Sequence, residues 1–233
     1  MRKELSIANK NCYIYENGRT DDFIIQAVGG HELELLDREV EKIKDLAGNR
    51  PFTFVAFLVS DWNMELSPWK APAVFNREAF GAGADDTLAY ITEELLPAIE
   101  KDCPTDNKKR FFLGGYSLAG LFALWAAYQT TLFSGIAAVS PSVWFPKWED
   151  FISENPIHAP RIYLSLGDKE EKTKNRMMAK VGDNIRRQYE LLCKDSLVKE
   201  CTLEWNPGNH FAEPELRTAK GFAWLLNGGR YNE

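Results

Sequence analysis

Apolar and polar residues alternate along this chain in blocks that predict strands and helices in turn. Short uninterrupted apolar runs are typical of strands that are buried on both faces of a sheet. Between these runs, apolar residues recur every three or four positions, as in Leu36, Val40, Ile43 and Ala47, which is the spacing of one helix face. The alternation predicts an α/β fold with a mostly parallel central sheet flanked by helices. The predicted strands are 52–59, 110–113, 133–139, 162–166 and 201–205, and the predicted helices lie within 36–47, 88–99, 121–129, 178–192 and 214–226.

The N-terminal region departs from this alternation. Two β-rich runs, 12–15 and 23–28, flank Asn17-Gly18, a dipeptide that favours a tight turn between antiparallel strands. We therefore expect an antiparallel strand pair to open the fold. The polar and aromatic segment 60–83 predicts a long loop, and no insertion is long enough to form a large lid domain. Residues 1–233 are expected to form a single domain.

Composition and charge narrow the classes of partner. The formal net charge of −6 comes from interspersed acidic and basic residues, without a basic block of the kind that binds nucleic acid or an anionic membrane. The N-terminus lacks the apolar core of a secretory signal, and no segment stays apolar over the roughly 18 residues of a membrane span. We expect a soluble cytoplasmic protein, a monomer or homodimer, that acts on a small molecule and binds neither nucleic acid nor membrane.

The four cysteines do not form a metal-binding or disulfide pattern. Cys12, Cys103, Cys193 and Cys201 show neither C-x-x-C spacing nor a dense framework. Structural thiols are therefore the default interpretation, and we expect no metal and no organic cofactor.

The chemistry of the chain is indicated most strongly by residues 114–120, Gly-Gly-Tyr-Ser-Leu-Ala-Gly. They lie between an apolar strand and a strongly apolar helix, which is the arrangement of a nucleophile elbow. The turn requires small residues two positions before and after the serine, and Gly115 and Ala119 meet that requirement. Ser117 is thus the candidate nucleophile, and the backbone N–H of Leu118 is a candidate oxyanion donor at a helix N-terminus. A serine that merely caps a helix is the structural alternative.

A nucleophilic serine in this architecture is followed along the chain by an acid and then by a histidine. Of the three histidines, His210 alone follows Ser117 in a loop after a strand, and it is predicted to be the base. His158 directly precedes a predicted strand and should lie near the opposite edge of the sheet. His31 follows an early strand and is interpreted as a solvated turn residue.

The acid is expected after the predicted strand 162–166, where the run 167–171, Gly-Asp-Lys-Glu-Glu, offers three carboxylates. In many hydrolases of this fold the acid stands a few residues after a glycine that ends the strand, which favours Glu170. Asp168 and Glu171 remain alternatives. The ordinary role of such an acidic run is to begin a helix beside a favourable dipole.

A second backbone N–H is needed to hold the oxyanion, and we expect it from Asp61 or Trp62, in the loop after the strand 52–59. Aromatic residues are also expected at the mouth of the site. We predict that Trp69, in the same loop, and Trp144 form an apolar wall for the substrate. The alternative is that these tryptophans pack down long connections that lack other hydrophobic anchors.

Four segments together resemble the putative esterase family of α/β-hydrolases, which includes enterochelin esterases, S-formylglutathione hydrolase, feruloyl and acetyl esterases, and mycolyl transferases. The segments are 115–124, 140–142, 167–170 and 208–211. The resemblance is greatest to compact bacterial members grouped with enterochelin esterases. It implies an α/β-hydrolase fold with Ser117 as nucleophile, His210 as base and Glu170 as acid. Some siderophore esterases work with a serine and a histidine alone.

The sequence leaves three functions open. The first is a serine carboxylesterase for small or medium acyl esters, in which His210 takes the proton of Ser117 and water hydrolyses the acyl-enzyme. The second is a siderophore, feruloyl or acetyl ester hydrolase or an acyltransferase of the same family, although the chain shows no basic cluster suited to an anionic iron chelate. The third is a non-catalytic binding protein that has kept the hydrolase fold.

Overall fold

A computed structural model describes residues 2–74, 78–102 and 107–229, and it contains an eight-stranded sheet in the order β1-β2-β4-β3-β5-β6-β7-β8. All pairings among β3 to β8 are parallel, whereas β2 runs antiparallel to both of its neighbours. The predicted class is confirmed. The strands are β1 Arg2–Ile7, β2 Lys10–Glu16, β3 Asp22–Val28, β4 Thr53–Leu58, β5 Arg110–Tyr116, β6 Phe133–Val139, β7 Arg161–Gly167 and β8 Glu200–Asn206.

Helices cover both faces of the sheet. One face carries α1 and α8, which pack against each other, and the other carries α3 to α7. A π-helical turn, Tyr90–Leu95, joins α3 to α4, so the predicted helix within 88–99 belongs to a longer helical segment. Nowhere in the described ranges is a helix both long and apolar enough to cross a bilayer. The helices are α1 Leu36–Leu46, α2 Trp62–Glu65, α3 Ala84–Ala89, α4 Leu96–Asp102, α5 Leu118–Gln129, α6 Trp148–Glu154, α7 Val181–Lys194 and α8 Pro214–Leu226.

The opening antiparallel pair is present, but it consists of β1 and β2. A two-residue turn at Ala8 and Asn9 joins them, and both residues have positive φ, as the hairpin turn requires. The strand β1 was not predicted because its residues are mostly exposed and polar. An edge strand of this kind lacks the apolar alternation that predicts a half-buried strand.

The prediction that the segment 12–15 pairs with the segment 23–28 was therefore wrong. The segment 23–28 lies in β3, between β4 and β5, and pairs parallel with both. The turn at Asn17 does not close a hairpin, because the backbone and side-chain N–H groups of this residue donate to the carbonyls of Phe52 and Arg50. This turn instead carries the chain across to the far side of β4.

The centre of the molecule is formed by β5 and α5. Residues 118–128 of α5 are buried because the helix is apolar on all sides, which is typical of a helix enclosed by other elements. In a parallel sheet the loops at the carboxyl ends of the strands converge on one edge. The loops after β3 to β8 therefore leave the sheet at one edge and can build a common site.

Candidate active site

Ser117 occupies the tight turn between β5 and α5 that the sequence predicts. Its backbone angles are φ 56° and ψ −119°, a conformation that L-residues rarely adopt and that is retained mainly where function requires it. The backbone N–H of Ser117 donates to the carbonyl of Val139 at 3.0 Å, which ties the turn to β6. Leu118 follows as the first residue of α5, so its N–H lies at the helix N-terminus.

We expect Gly115→Ala to destabilise the protein, because a Cβ atom at this position would lie 2.6 Å from the Cβ of Ala119. Overpacking of this kind costs about 2 kcal/mol, which lowers the melting temperature by about 4–8 °C in a chain of this length. Gly30→Ala is the matched control, since a Cβ atom there has no neighbour within 4 Å. Thermal unfolding followed by circular dichroism compares the two variants. Equal melting temperatures would show that the elbow tolerates a larger residue.

The side chains of Ser117, His210 and Glu170 form a continuous chain of hydrogen bonds beyond the carboxyl ends of β5, β7 and β8. The Oγ atom of Ser117 lies 3.0 Å from Nε2 of His210, and Nδ1 of the same ring lies 2.7 Å from Oε2 of Glu170. In chemical terms this is a hydroxyl next to a base whose ring is oriented by a carboxylate.

Glu170 is buried, yet its other oxygen has three donors. The Ser140 hydroxyl and the Gly167 N–H each donate to Oε1 at 2.7 Å, and the Arg217 guanidinium donates at 3.2 Å. Burial acts to raise the pKa of Glu170, but the hydrogen bonds from His210, Ser140 and Gly167 outweigh it and hold this pKa below its ordinary value. Glu170 is therefore an anion at neutral pH, which suits it to stabilise a histidine that gains a proton.

Arg217, which is not among the site residues predicted from the sequence, links the acid to the histidine loop. Its side chain is 2% exposed, and besides Glu170 it donates to the Tyr116 hydroxyl at 3.2 Å and to the Pro207 carbonyl at 2.8 Å. The Tyr116 hydroxyl in turn donates to the carbonyl of His210 at 2.7 Å. An arginine within a helix carries no local signal of burial, so only the packing of α8 reveals this role.

The two alternative acids have other partners. Asp168 accepts the N–H of Gly208 at 2.8 Å and so fixes the loop that leads to His210. Glu171 pairs with Arg186, at 2.8 and 3.1 Å. Of the three carboxylates in the run, Glu170 is the one that the structure brings to the ring of His210.

The order of the strands changes the expected source of the second oxyanion donor. The loop after β4 leaves the sheet two strands away from β5, whereas the loop after β3 leaves it from the strand next to β5. The N–H of Asp61 already donates to Glu65 Oε1 at 2.9 Å, and the Asp61 carboxylate caps α2. This corrects the assignment of Asp61, while Trp62 does line the cavity beside Ser117.

A cavity of about 480 Å³ opens beside Ser117 and His210. Trp144 lines it, as predicted, and Phe211, which is 85% exposed, stands at its rim. His31 also lines it, in contact with the ring of Trp62, and it is an exposed residue of the turn Gly30–Glu32, as predicted. The tight turn after β3 directs this side chain back toward the site.

Trp69 is not among the residues that line the cavity, which corrects its predicted role in substrate binding. Its ring packs against Phe145, Trp148 and Phe151, and its Nε1–H donates to the carbonyl of Pro146 at 2.8 Å. This tryptophan anchors the segment that follows α2 to the connection after β6. The anchoring alternative therefore describes Trp69 better than the substrate-wall prediction.

Two further cavities are present, one beside the main cavity and one remote from it. A smaller one of about 340 Å³ shares Trp144 and His210 with it and also contains Lys169 and Lys172. A cleft of about 590 Å³ around Phe111 lies at the other end of β5 and is thus remote from Ser117.

Three carboxyl groups line the main cavity where α1 meets α8, and we call Glu32, Glu39 and Glu215 the acidic lobe. Oε2 of Glu32 accepts the N–H of Gly29 at 2.8 Å, and Glu215 pairs with Arg38 at 2.8 Å. Burial raises the pKa of Glu39 well above its ordinary value, and the charges of Glu32 and Glu215 add to this shift.

Glu39 is not among the predicted site residues either, although the sequence holds a signal for it. It stands three residues after Leu36 and four before Ile43, so it shares the apolar face of α1. A carboxylate on such a face is rarely buried unless it is paired.

Glu32 makes the stability of the protein depend on pH. Burial raises the pKa of Glu32 to about 7, and the hydrogen bond from Gly29 lowers it only in part. Unfolded chains release this proton near pH 4.3, so from about pH 4.3 to 7 the folded protein holds a proton that the unfolded chain lacks, and its stability falls as the pH rises. Through Glu32, the wild type should lose about 2 kcal/mol of its free energy of unfolding between pH 5 and pH 8, and Glu32→Gln should not show this loss.

Urea unfolding of Glu32→Gln and wild type at both pH values measures this difference. Glu190→Gln, which removes an exposed carboxylate on α7, is the control and should show no change with pH relative to wild type. A constant difference between Glu32→Gln and wild type at the two pH values would contradict the raised pKa.

His158 and the described cysteines are not among the residues that line the cavity. His158 precedes β7, and its backbone N–H donates to the carbonyl of Ala127 at 2.8 Å. Cys12, Cys193 and Cys201 are free thiols, and Cys103 lies outside the described residues. In the part of the chain that the structure describes, no group of three or more His, Cys, Asp or Glu side chains is arranged to hold a metal ion.

Known proteins are similar to this chain in sequence. A family profile described as "Putative esterase" matches residues 42–213. Ferri-bacillibactin esterase BesA of Bacillus subtilis (strain 168) is 36% identical over 122 residues, which are 47% of this chain and 39% of BesA. The match thus spans well under half the length of that relative.

Solved structures are similar to the whole chain. Siderophore hydrolase EstA from Aspergillus nidulans gives a TM-score of 0.77 at 17% identity, over 99% of this chain and 95% of that one. An IroE-like serine hydrolase from Shewanella oneidensis gives a TM-score of 0.79 at 15% identity, over 100% of this chain and 81% of that one. Likeness at this level of identity shows the fold alone, and it confirms the predicted α/β-hydrolase fold.

Proposed function

Since this chain belongs to the putative esterase family, we propose that it is a serine carboxylesterase that hydrolyses small or medium acyl esters. The observation that carries the proposal is the hydrogen-bonded chain from Ser117 through His210 to Glu170, whose first two members line the cavity. A serine becomes a nucleophile when an adjacent base is oriented by a third group, and these contacts supply both.

In the proposed acylation step, Oγ of Ser117 attacks the ester carbonyl carbon while Nε2 of His210 accepts the hydroxyl proton. Glu170 accepts a hydrogen bond from Nδ1–H of His210, which fixes the tautomer of the ring and stabilises the imidazolium. His210 then gives its proton to the leaving alcohol as the C–O bond breaks. A water molecule repeats the sequence on the acyl-enzyme, which releases the acid and restores the Ser117 hydroxyl.

Backbone N–H groups stabilise the negative oxygen of the tetrahedral intermediate in this proposal. Leu118 supplies one of them from the N-terminus of α5. We assign the other to Gly30 or His31, in the loop after β3, because that strand adjoins β5 and His31 lines the cavity with Leu118.

Labelling with a fluorophosphonate probe tests the proposal, because such probes phosphonylate an activated serine. We expect a single adduct on the folded protein, mapped to Ser117 by peptide mass spectrometry, and none on the unfolded protein. Ser196→Ala, which removes an exposed serine, is the control and should keep the adduct. Absence of an adduct on folded protein would favour a binding protein that has kept the hydrolase fold.

A second candidate is hydrolysis of a siderophore ester, and the supporting observation is the set of similar proteins. BesA is a ferri-bacillibactin esterase, and EstA is a siderophore hydrolase. The smaller cavity beside His210 contains Lys169 and Lys172, which suit an anionic iron chelate. Mass spectrometry of iron-free and ferric bacillibactin after incubation tests this candidate. Turnover of short p-nitrophenyl esters without turnover of either siderophore would reject it.

A further inference from the structure

The acidic lobe is not explained by the proposed reaction. Glu39 on α1 and Glu215 on α8 take no part in the hydrogen-bonded chain at Ser117, yet both lie in the wall of the same cavity. Burying a carboxylate is unfavourable unless it is paired and hydrogen-bonded. Glu215 has such a partner in Arg38, whereas Glu39 does not.

Glu39 is the carboxyl group that points most clearly to a ligand. It is 4% exposed, and its Oε1 atom has no hydrogen-bond partner among the described residues. Its other oxygen lies 3.5 Å from Nε2 of Gln26, at the limit of a hydrogen bond. A buried and unpaired acceptor in the wall of a functional cavity is the type of group that a ligand completes.

The wall around Glu39 contains further carboxyl groups and few basic side chains. Among the described residues that line the cavity, the basic side chains are the two histidines, His31 and His210, and none is lysine or arginine. Arg38 pairs with Glu215 from outside this wall, so Glu32 and Glu39 are the carboxyl groups of the lobe without a basic partner among the described residues. A neutral ester would leave both carboxyl groups without a basic partner, and an anionic ester would be repelled by either of them when it is ionised.

We propose that the acidic lobe binds an ammonium group of the ester substrate, with Oε1 of Glu39 accepting a hydrogen bond from one of its N–H groups. This inference rests on the proposed ester hydrolysis and gives the chemistry of the substrate, which is an ester with a primary ammonium group on its acyl or its alcohol side. Hydrogen bonds between ammonium groups and carboxylates are charge-assisted, and they are stronger where water is excluded.

Binding of an ammonium group would change the protonation of Glu39. Burial, together with the charges of Glu32 and Glu215, raises the pKa of Glu39, so its ionised form is disfavoured in the empty cavity. A bound cation would favour that form, because an opposite charge at close range stabilises a carboxylate. Binding would therefore release a proton from Glu39, and the free energy of that release reduces the net gain from the cation.

Two matched pairs of esters test the proposal. Methyl 6-aminohexanoate with methyl heptanoate places the charge on the acyl side, and 5-aminopentyl butanoate with hexyl butanoate places it on the alcohol side. Within each pair an ammonium group replaces a methyl group of similar size. We expect kcat/KM of the wild type at neutral pH to be about tenfold higher for the ammonium ester in one of the pairs.

Variants then locate the selectivity in the acidic lobe. In Glu39→Gln, which removes the charge at nearly constant shape, we expect the ratio of the two kcat/KM values to fall about tenfold. Glu215→Gln should lower the same ratio and serves as a second variant if Glu39→Gln does not fold. Glu190→Gln removes an exposed carboxylate on α7, outside the cavity, and should leave the ratio at its wild-type value.

The outcomes separate this inference from the proposed function. Hydrolysis of the neutral esters without an ammonium preference in either pair overturns the inference and leaves the serine esterase standing. An equal fall of the ratio in Glu190→Gln and Glu39→Gln also overturns it, because the preference would then arise from net charge. Absence of the fluorophosphonate adduct, together with no hydrolysis of any of the four esters, overturns the proposed function itself.

Discussion

Ser117→Ala is expected to abolish ester hydrolysis, lowering kcat by at least about 10⁴-fold while the protein stays folded. The reason is that the Oγ atom 3.0 Å from Nε2 of His210 is the proposed attacking atom, and alanine lacks it. Alanine keeps the Cβ atom, so the turn retains its φ of 56° and the melting temperature should change little. Hydrolysis of p-nitrophenyl butyrate, followed optically, measures the loss.

A nearby hydroxyl gives this experiment its control. Oγ of Ser142 lies 3.4 Å from Oγ of Ser117. If residual hydrolysis in Ser117→Ala disappears when Ser142→Ala is added, the nucleophile would have to be reassigned to Ser142. Full activity of folded Ser117→Ala would contradict a serine mechanism altogether.

The second large effect is expected from Glu170→Gln, which should lower kcat by about 10³- to 10⁴-fold. The three donors around Oε1, from Ser140, Gly167 and Arg217, will hold the amide oxygen of glutamine in that place. The amide NH₂ group then faces Nδ1 of His210 and donates to it. The imidazole proton is thereby forced onto Nε2, and a protonated Nε2 cannot accept the proton of Ser117.

The neighbouring carboxylates are the matched controls for Glu170→Gln. Asp168→Asn retains an oxygen that can accept the Gly208 N–H, and Glu171→Gln loses a pairing with Arg186 that is distant from the imidazole, so each should change kcat by less than about tenfold. All three variants are compared by kcat and by melting temperature. A larger loss in Asp168→Asn than in Glu170→Gln would reassign the acid. No loss in any of the three would indicate a Ser117–His210 dyad.

Much of the proposed site follows from the sequence because its signals are local or involve few candidates. The elbow around Ser117 is recognisable because a tight turn needs small residues at Gly115 and Ala119. His210 follows from chain order, since it is the histidine that comes after Ser117 in a loop following a strand. The sequence could not choose decisively among Asp168, Glu170 and Glu171, because the choice depends on how one helical turn is rotated after β7.

The predictions that proved wrong have a common cause in contacts between distant segments. The order β2-β4-β3-β5 puts β3 next to the elbow, and nothing in the apolar run of β3 specifies its neighbours. The second oxyanion donor was consequently expected from Asp61 or Trp62 in the loop after β4, whereas the loop after β3 also carries a residue, His31, to the cavity. The Trp69 error is of the same kind, because an aromatic residue in a loop packs equally well against a ligand or against the protein.

The amino-acid sequence by itself determined the class of the fold and the positions of most strands and helices. It also determined the elbow at Ser117 and pointed to His210 as the histidine that contacts this serine. Those features depend on side-chain periodicity and turn chemistry within a few residues. The partner of His210, the burial of Arg217 and the meeting of Glu39 with Glu32 and Glu215 in one cavity emerge only when the chain is folded. These depend on which strands pair and which helix faces pack, and the contact between Ser117 and His210 alone spans 93 residues of chain.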